Sequence, residues 1–152
     1  MRKPSGVSSP QKPPKPPTYF LDRSLGRFKL ATALRHAGLN IQVQDDLFAQ
    51  DAPDEEWLSA VGRSGWVVLT KDDKIRYRIR ERETLIAHGV RAFVLTARNI
   101  TAEEMAEIFL NARGKIERFL SENNGPFMVT IARSGTLRTV WPKLDPRKEG
   151  KS

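Results

Sequence analysis

One segment of this 152-residue chain indicates its architecture more than any other: Val67-Val68-Leu69-Thr70-Lys71-Asp72-Asp73. Its first three residues are apolar, and two of them are β-branched. A short apolar run of this kind is typical of a strand that is buried on both faces of a sheet. The segment then ends in a hydroxyl and two adjacent carboxylates. Because ligands bind at the carboxyl edge of open α/β sheets, this ending predicts a functional site at that edge.

Length and composition indicate a single domain without membrane segments. The chain is long enough for one hydrophobic core, and 39% of its residues are hydrophobic. No apolar run approaches the roughly 18 residues that a membrane span requires, and the N-terminus has no apolar signal segment. The absence of cysteine excludes a disulfide framework, a thiolate zinc site and a thiol nucleophile. We therefore expect a cytoplasmic protein.

The net charge of +8 is concentrated at the two ends of the chain. Residues 1–17 contain six of the ten prolines and carry +4, residues 143–152 carry +2, and +2 remains for residues 18–142. We predict a disordered, basic, proline-rich tail over 1–17, a folded domain over 18–142 and a basic C-terminal tail over 143–152. Such tails act either as solubilising ends or as arms that bind phosphate groups.

Apolar runs and helical stripes alternate along the folded part. Strands are predicted at 19–21, 41–43, 67–70, 90–95, 127–132 and 136–141, the last two as a hairpin. Helices are predicted after a cap at Ser24, after Pro53, over 74–88 and, as one long helix, from Thr101 to Leu120; residues 45–51 are expected to form a loop. The order predicts an α/β fold with a mainly parallel central sheet, helices on both faces and a C-terminal β-hairpin.

Acidic side chains follow three of the predicted strands. Asp22 and Asp72 come directly after apolar strands, with Asp73 beside the latter, and Asp54 and Glu55 open the helix after the second strand. Parallel strands bring these groups to one edge of the sheet, where cations must offset their mutual repulsion. Carboxylate oxygens favour Mg²⁺ or Mn²⁺, which suits phosphodiester hydrolysis by water. Helix-dipole compensation or capping is the alternative role of the acids that open helices.

A basic segment follows the predicted third strand and lies just downstream of the acids. Its cationic side chains are candidates for binding nucleic-acid phosphates without reading sequence: Lys74, Arg76, Arg78, Arg80 and Arg82. The alternative is an ordinary solvated helix with internal ion pairs.

Two of these acidic motifs resemble those of a known family. Residues 20–24, Phe-Leu-Asp-Arg-Ser, resemble the first motif of PIN domains, an apolar strand that ends in Asp-x-Ser. Residues 68–75 resemble their later Thr-x-Asp motif. With the acidic residues 51–56 between them, the chain is most similar to the short PIN-like subgroup that includes VapC-type toxins. The resemblance covers roughly residues 18–121 and implies a three-layer α/β/α fold.

The resemblance also implies a function and roles for individual residues. It implies a Mg²⁺- or Mn²⁺-dependent endoribonuclease that cleaves RNA, as the toxin of a type II toxin-antitoxin pair held inactive by its antitoxin. A homodimer is a further expectation. The implied catalytic residues are Asp22, Glu55 and Asp72. The implied metal ligands are Asp22, Asp54, Glu55, Asp72 and Asp73, with Asp54 competing with Glu55 as the middle acid. The implied polar supports are Ser24 and Thr70. The alternative is a non-catalytic PIN-like module that binds RNA or protein.

Overall fold

The computed structural model describes residues 16–72 and 79–142 of the chain. The strands in these ranges are β1 (Thr18–Leu21), β2 (Asn40–Val43), β3 (Val67–Thr70), β4 (Arg91–Leu95), β5 (Phe127–Ile131) and β6 (Leu137–Trp141). The α-helices are α1 (Lys29–His36), α2 (Gln44–Leu47), α3 (Asp54–Ser64), α4 (Ile79–Ala87), α5 (Ala102–Asn111) and α6 (Arg113–Glu122). A 3₁₀ turn, Arg23–Leu25, follows β1. Almost all of the two predicted tails lies outside the described residues.

The strands form one sheet in the order β2-β1-β3-β4-β5-β6. Strands β1 to β5 pair in parallel, and β6 pairs antiparallel with β5. The predicted mainly parallel sheet with a C-terminal hairpin is therefore confirmed. Strand β1 lies between β2 and β3, and its last residue, Leu21, pairs with Val43 on one side and Leu69 on the other. The carboxyl ends of the first three strands consequently meet at one place.

Apolar side chains pack on both faces of the sheet and produce three layers. On one face, Leu21 and Leu69 belong to a core that includes residues of α1, α5 and α6. On the opposite face, Phe20 and Val68 pack with residues of α3 and α4. Strand β3 is buried at every position, as its continuous apolar run predicts. The site at its carboxyl end is thus attached to the most enclosed part of the sheet.

Helix α3 approaches the turn before β4 very closely. A Cβ atom placed on Gly62 would lie 2.6 Å from the Cβ atom of His88. Real Cβ atoms do not come so near to other carbon atoms, so glycine at this position allows the helix to pack against the turn.

The cap predicted at Ser24 is wrong. Helix α1 begins at Lys29, and its first turn has no side-chain cap. Asp22 instead caps the 3₁₀ turn by accepting a hydrogen bond from the backbone N–H of Ser24. The Ser24 hydroxyl has other partners, which are described with the site below.

The single helix predicted after Thr101 is also wrong, because it is divided at Ala112 into α5 and α6. Its predicted start is confirmed, since Thr101 and Glu104 form a capping box. The loop predicted at 45–51 is wrong in its first part, because residues 45–47 belong to the short helix α2. None of the helices in the described ranges has the length and apolar content needed to cross a membrane.

Candidate active site

Asp22 lies at the carboxyl edge of the sheet, directly after β1. Its backbone N–H donates to the carbonyl of Leu69 at 3.1 Å, which continues the pairing of β1 with β3 by one residue. The residue is only 7% exposed. A carboxylate is seldom buried to this degree unless hydrogen bonds or cations compensate for the lost hydration.

Both carboxylate oxygens of Asp22 accept hydrogen bonds. Oδ1 accepts from the backbone N–H of Ser24 at 3.0 Å and from the Ser24 hydroxyl at 2.5 Å. Oδ2 accepts from the hydroxyl of Thr70 at 2.7 Å, and this threonine is fully buried. The two residues predicted as polar supports therefore contact the predicted acid directly and fix its orientation.

The same hydroxyls also fix the chain that follows β3. The backbone N–H of Lys71 donates to Ser24 Oγ at 2.9 Å, and that of Asp72 donates to Thr70 Oγ1 at 3.0 Å. The two hydroxyl oxygens lie 3.2 Å apart. This network ties the end of β3 to the end of β1 and places Asp72 near Asp22.

The electrostatics of the site are set by burial. Desolvation raises the pKa of Asp22, and the negative charge of Asp72 raises it further. Hydrogen bonds from Ser24 and Thr70 act in the opposite direction but do not cancel the effect of burial on this pKa. A cation beside the two carboxylates would favour their ionised forms. The pair thus has the character of a cation site.

Arg23 connects the segment after β2 to the site. Its backbone N–H donates to Oε1 of the buried Gln44 at 2.9 Å, and its Nε donates to Asp45 at 2.6 Å. Its guanidinium also donates to the carbonyls of Gln50 and Ala49, at 3.2 and 3.4 Å. The sequence reasoning missed this contact. The available signal was the position of Gln44 and Asp45 directly after β2, at the edge where Asp22 was expected.

The two candidates for the middle acid lie in the first turn of α3. Asp54 is half-buried, and its Oδ1 accepts a hydrogen bond from Nε1 of Trp57 at 2.9 Å. Glu55 is exposed. In the described part of the chain, no three acidic or histidine side chains are grouped so that they could hold a metal ion. The structure brings Asp22 and Asp72 together, but neither Asp54 nor Glu55 joins them as a third ligand.

One predicted acid and most of the predicted basic segment lie outside the described residues. These are Asp73, Lys74, Arg76 and Arg78, together with the side chain of Arg80. A further member of the predicted basic segment, Arg82, is half-exposed on α4.

The donor set at the site fits a hard divalent cation. Asp22 and Asp72 offer only carboxylate oxygens, the ligands that Mg²⁺ and Mn²⁺ prefer. The hydroxyls of Ser24 and Thr70 hold Asp22 from the side, as residues behind a metal ligand do. With two protein carboxylates, such a cation would keep positions for water and phosphate oxygens.

Comparisons with known proteins agree with this description. The sequence profile of a family described as "PIN like domain" matches residues 17–97. The chain is also 30% identical over 125 residues to a protein of Mycobacterium tuberculosis named "Putative ribonuclease VapC45". That alignment covers 80% of this chain and 90% of the relative. No solved structure matches the chain.

Proposed function

The chain belongs to the PIN-like domain family, and from this premise we propose that it is a metal-dependent endoribonuclease that hydrolyses RNA phosphodiester bonds. The observation that carries the proposal is the pairing of Asp22 with Asp72 at the carboxyl edge of the sheet, with Asp22 buried and held at both oxygens. The name of the M. tuberculosis relative supports RNA as the substrate.

In this proposal Asp22 and Asp72 hold Mg²⁺ or Mn²⁺. When bound, such a cation lowers the pKa of an attacking water and offsets the negative charge that develops on the phosphate. The protein then needs no nucleophile of its own, which accords with a site built from carboxylates and hydroxyls. Asp54 or Glu55, at the start of α3, would supply a third carboxylate, and Asp73 remains a candidate for a fourth.

Ser24 and Thr70 act as positioning residues. Each donates a hydroxyl hydrogen bond to a different oxygen of Asp22, which prevents rotation of the carboxylate. Because both hydroxyls also accept from the backbone after β3, they couple the position of Asp22 to that of Asp72. The two ligands would therefore meet the cation with their spacing already fixed.

We extend the proposal to a toxin that acts in the cytoplasm and is held inactive by an antitoxin protein, again on the basis of the VapC-type relative. Growth arrest on expression, relieved by Asp22→Asn, would support this role, whereas unaffected growth with an active nuclease would contradict it. A homodimeric toxin is proposed as well. Light scattering of the purified chain tests this directly, because a monomeric mass would exclude the dimer.

The test of the activity is cleavage of single-stranded RNA with Mn²⁺ and with a chelator. We expect metal-dependent cleavage by the unaltered chain, and its loss in Asp22→Asn and in Asp72→Asn. Glu122→Gln, which removes an exposed carboxylate at the end of α6, is the matched control and should cleave normally. Unchanged cleavage by both aspartate variants would refute the proposed site.

The same assay identifies the middle acid. Asp54→Asn and Glu55→Gln remove one charge each from adjacent positions of α3, so the one that supplies the ligand should lose metal-dependent cleavage while the other retains it. Salt-sensitive RNA binding without any cleavage would instead favour a non-catalytic RNA-binding module.

A further inference from the structure

A cleft opens beside the acidic pair, between the carboxyl ends of β3 and β4. Lys71 lines it from the segment after β3, and residues 95–99 line it from the segment after β4. Its volume is about 220 Å³. Pockets that enclose drug-sized molecules measure about 300 to 1,000 Å³, so this cleft has room for a fragment such as a phosphate group rather than a whole ligand.

The lining of the cleft has the chemistry of an anion site. Among the residues that the structure describes, those that line the cleft include two cationic ones, Lys71 and Arg98, and no acidic one. Thr96 and Asn99 add a hydroxyl and an amide to the lining. Lysine, arginine, hydroxyl and amide groups are those that hold the phosphates of nucleic acids.

The wall that follows β4 is anchored to the strand beside it. The backbone N–H of Thr96 donates to the carbonyl of Ile131 at 3.1 Å. The guanidinium of Arg133 donates to the carbonyl of Arg98 at 3.4 Å, which brings a third cation to this region. Asn99 adopts a left-handed backbone conformation, with φ of 56°, and so turns the chain at the end of the wall. The cationic groups are therefore carried on a fixed framework.

The cleft begins where the acidic pair ends. Lys71 lies between Thr70 and Asp72 in the chain, and its backbone N–H is bonded to the Ser24 hydroxyl that holds Asp22. An RNA strand carries a negative charge at every nucleotide, and two carboxylates alone would repel it. Cations at a neighbouring position would offset this repulsion without contacting the reacting phosphate.

We propose that this cleft binds a phosphate of single-stranded RNA adjacent to the one that is cleaved. The inference rests on the proposed ribonuclease function and deepens it, because it assigns the substrate backbone a path from the acidic pair across β3 towards β4. Lys71 and Arg98 are the residues that bind this phosphate. Neither reads the base, so the contact is expected to be independent of sequence.

Binding is measured by fluorescence anisotropy of a labelled single-stranded RNA in EDTA, where no cleavage occurs. The test variant is the double substitution Lys71→Gln with Arg98→Gln. The control removes the same charge from exposed positions on helices, Arg63→Gln with Arg118→Gln. We expect the test variant to lose about tenfold or more in affinity, as for charge-assisted hydrogen bonds, and the control to bind normally.

The salt dependence separates a phosphate contact from a general loss of charge. For single-stranded nucleic acid, each neutralised phosphate contributes about 0.7 to the slope of log affinity against log salt, so the test variant should lose about this amount relative to the control. Lys71→Arg with Arg98→Lys retains both charges and should restore the slope. Equal slopes in the test and control variants, or failure of the charge-retaining variant to bind, would overturn the inference.

Failure of this inference is distinguishable from failure of the proposed function. Asp22→Asn removes one of the two repelling carboxylates, so it should bind RNA in EDTA at least as tightly as the unaltered chain does while losing cleavage in Mn²⁺. If the chain cleaves RNA but the test and control variants bind it equally, the proposed phosphate site is refuted and the nuclease function stands. If the chain cleaves nothing but the test variant alone loses binding, the nuclease is refuted and the phosphate site stands.

Discussion

Asp22→Asn should increase the free energy of unfolding of the metal-free protein at neutral pH, although it alters a buried residue of the candidate site. Asp22 is only 7% exposed, and burial raises the pKa of its carboxyl group, so the ionised form is disfavoured in the folded state. Asparagine has nearly the same shape and no charge. Each unit by which the folded pKa exceeds the unfolded value of about 3.9 is equivalent to about 1.4 kcal/mol. The substitution removes this penalty.

The hydrogen bonds of the site can be rearranged to accept the amide. The asparagine Oδ1 would accept from Ser24 as the carboxylate does, and its Nδ2 would donate to Thr70 Oγ1. The threonine hydroxyl would then donate to Ser24 Oγ, which lies 3.2 Å away. Ser24 Oγ and Thr70 Oγ1 still accept from the backbone of Lys71 and Asp72. Every donor that was paired with Asp22 keeps an acceptor, and the second N–H of the amide, which gains no acceptor, offsets part of the gain in stability.

Asp22→Ala provides the contrast. It removes the acceptor of the Ser24 backbone N–H and of the two hydroxyl groups. A buried donor left without an acceptor costs about 1 to 3 kcal/mol. Both substitutions remove the charge, so the lost hydrogen bonds set the difference between them, and we expect the alanine variant to be less stable than the asparagine variant by a few kcal/mol.

Urea unfolding in EDTA at a series of pH values measures both effects. Since the folded state holds its proton on Asp22 more tightly than the unfolded state, stability is greatest at low pH and falls as pH rises from about 3.9 through the raised pKa. This fall should be smaller in Asp22→Asn. Added Mn²⁺ should stabilise the unaltered chain and have less effect on the variant. An asparagine variant as unstable as the alanine variant would refute the reasoning.

Two further predictions concern the scaffold. Gly62→Ala should lower the melting temperature by several degrees, because a clash with His88 that costs about 1 to 3 kcal/mol exceeds the roughly 1 kcal/mol gained in helix propensity. Gly114→Ala is its control and should raise the melting temperature, since nothing lies within 4 Å of the added atom. Burial, aided by Glu117, raises the pKa of Tyr19 to about 12, so its tyrosinate absorbance should appear only near that pH. Stability should fall between about pH 10 and 12, and Tyr19→Phe should abolish this fall.

The arrangement of the acids at β1 and β3 could be predicted from the sequence because it follows from two general rules. Apolar runs identified the strands. Right-handed crossover connections between parallel strands place the carboxyl ends of those strands at one edge of the sheet. Asp22 and Asp72 were therefore expected together before their contacts were known. The hydroxyl contacts of Ser24 and Thr70 depend on the pairing of Leu21 with Leu69, a register that apolar pattern alone does not give.

The division of the last long helix could not be predicted from its apolar stripe. Ala112 and Ile116 continue the stripe of Met105 and Phe109, and all four are buried in the same core. Backbone hydrogen bonds also continue across the junction, from Ala112 to Ile108 and from Ile116 to Ala112. Both helices bury the same face. The spacing of apolar residues along the chain is therefore the same for one bent helix and for two consecutive helices.

The residues at the end of β3 carry two opposite charges, and the backbone geometry explains how both are used. The backbone N–H groups of Lys71 and Asp72 donate to the hydroxyls of Ser24 and Thr70, which fixes the position of each residue after the end of β3. Thr70 holds Asp22, Asp72 adds a second carboxylate, and Lys71 enters the basic cleft. A shift of one residue would exchange the lysine with an aspartate and leave neither site intact. The two hydrogen bonds that the backbone N–H groups donate to these hydroxyls therefore fix the register on which both the proposed cation site and the proposed phosphate site depend.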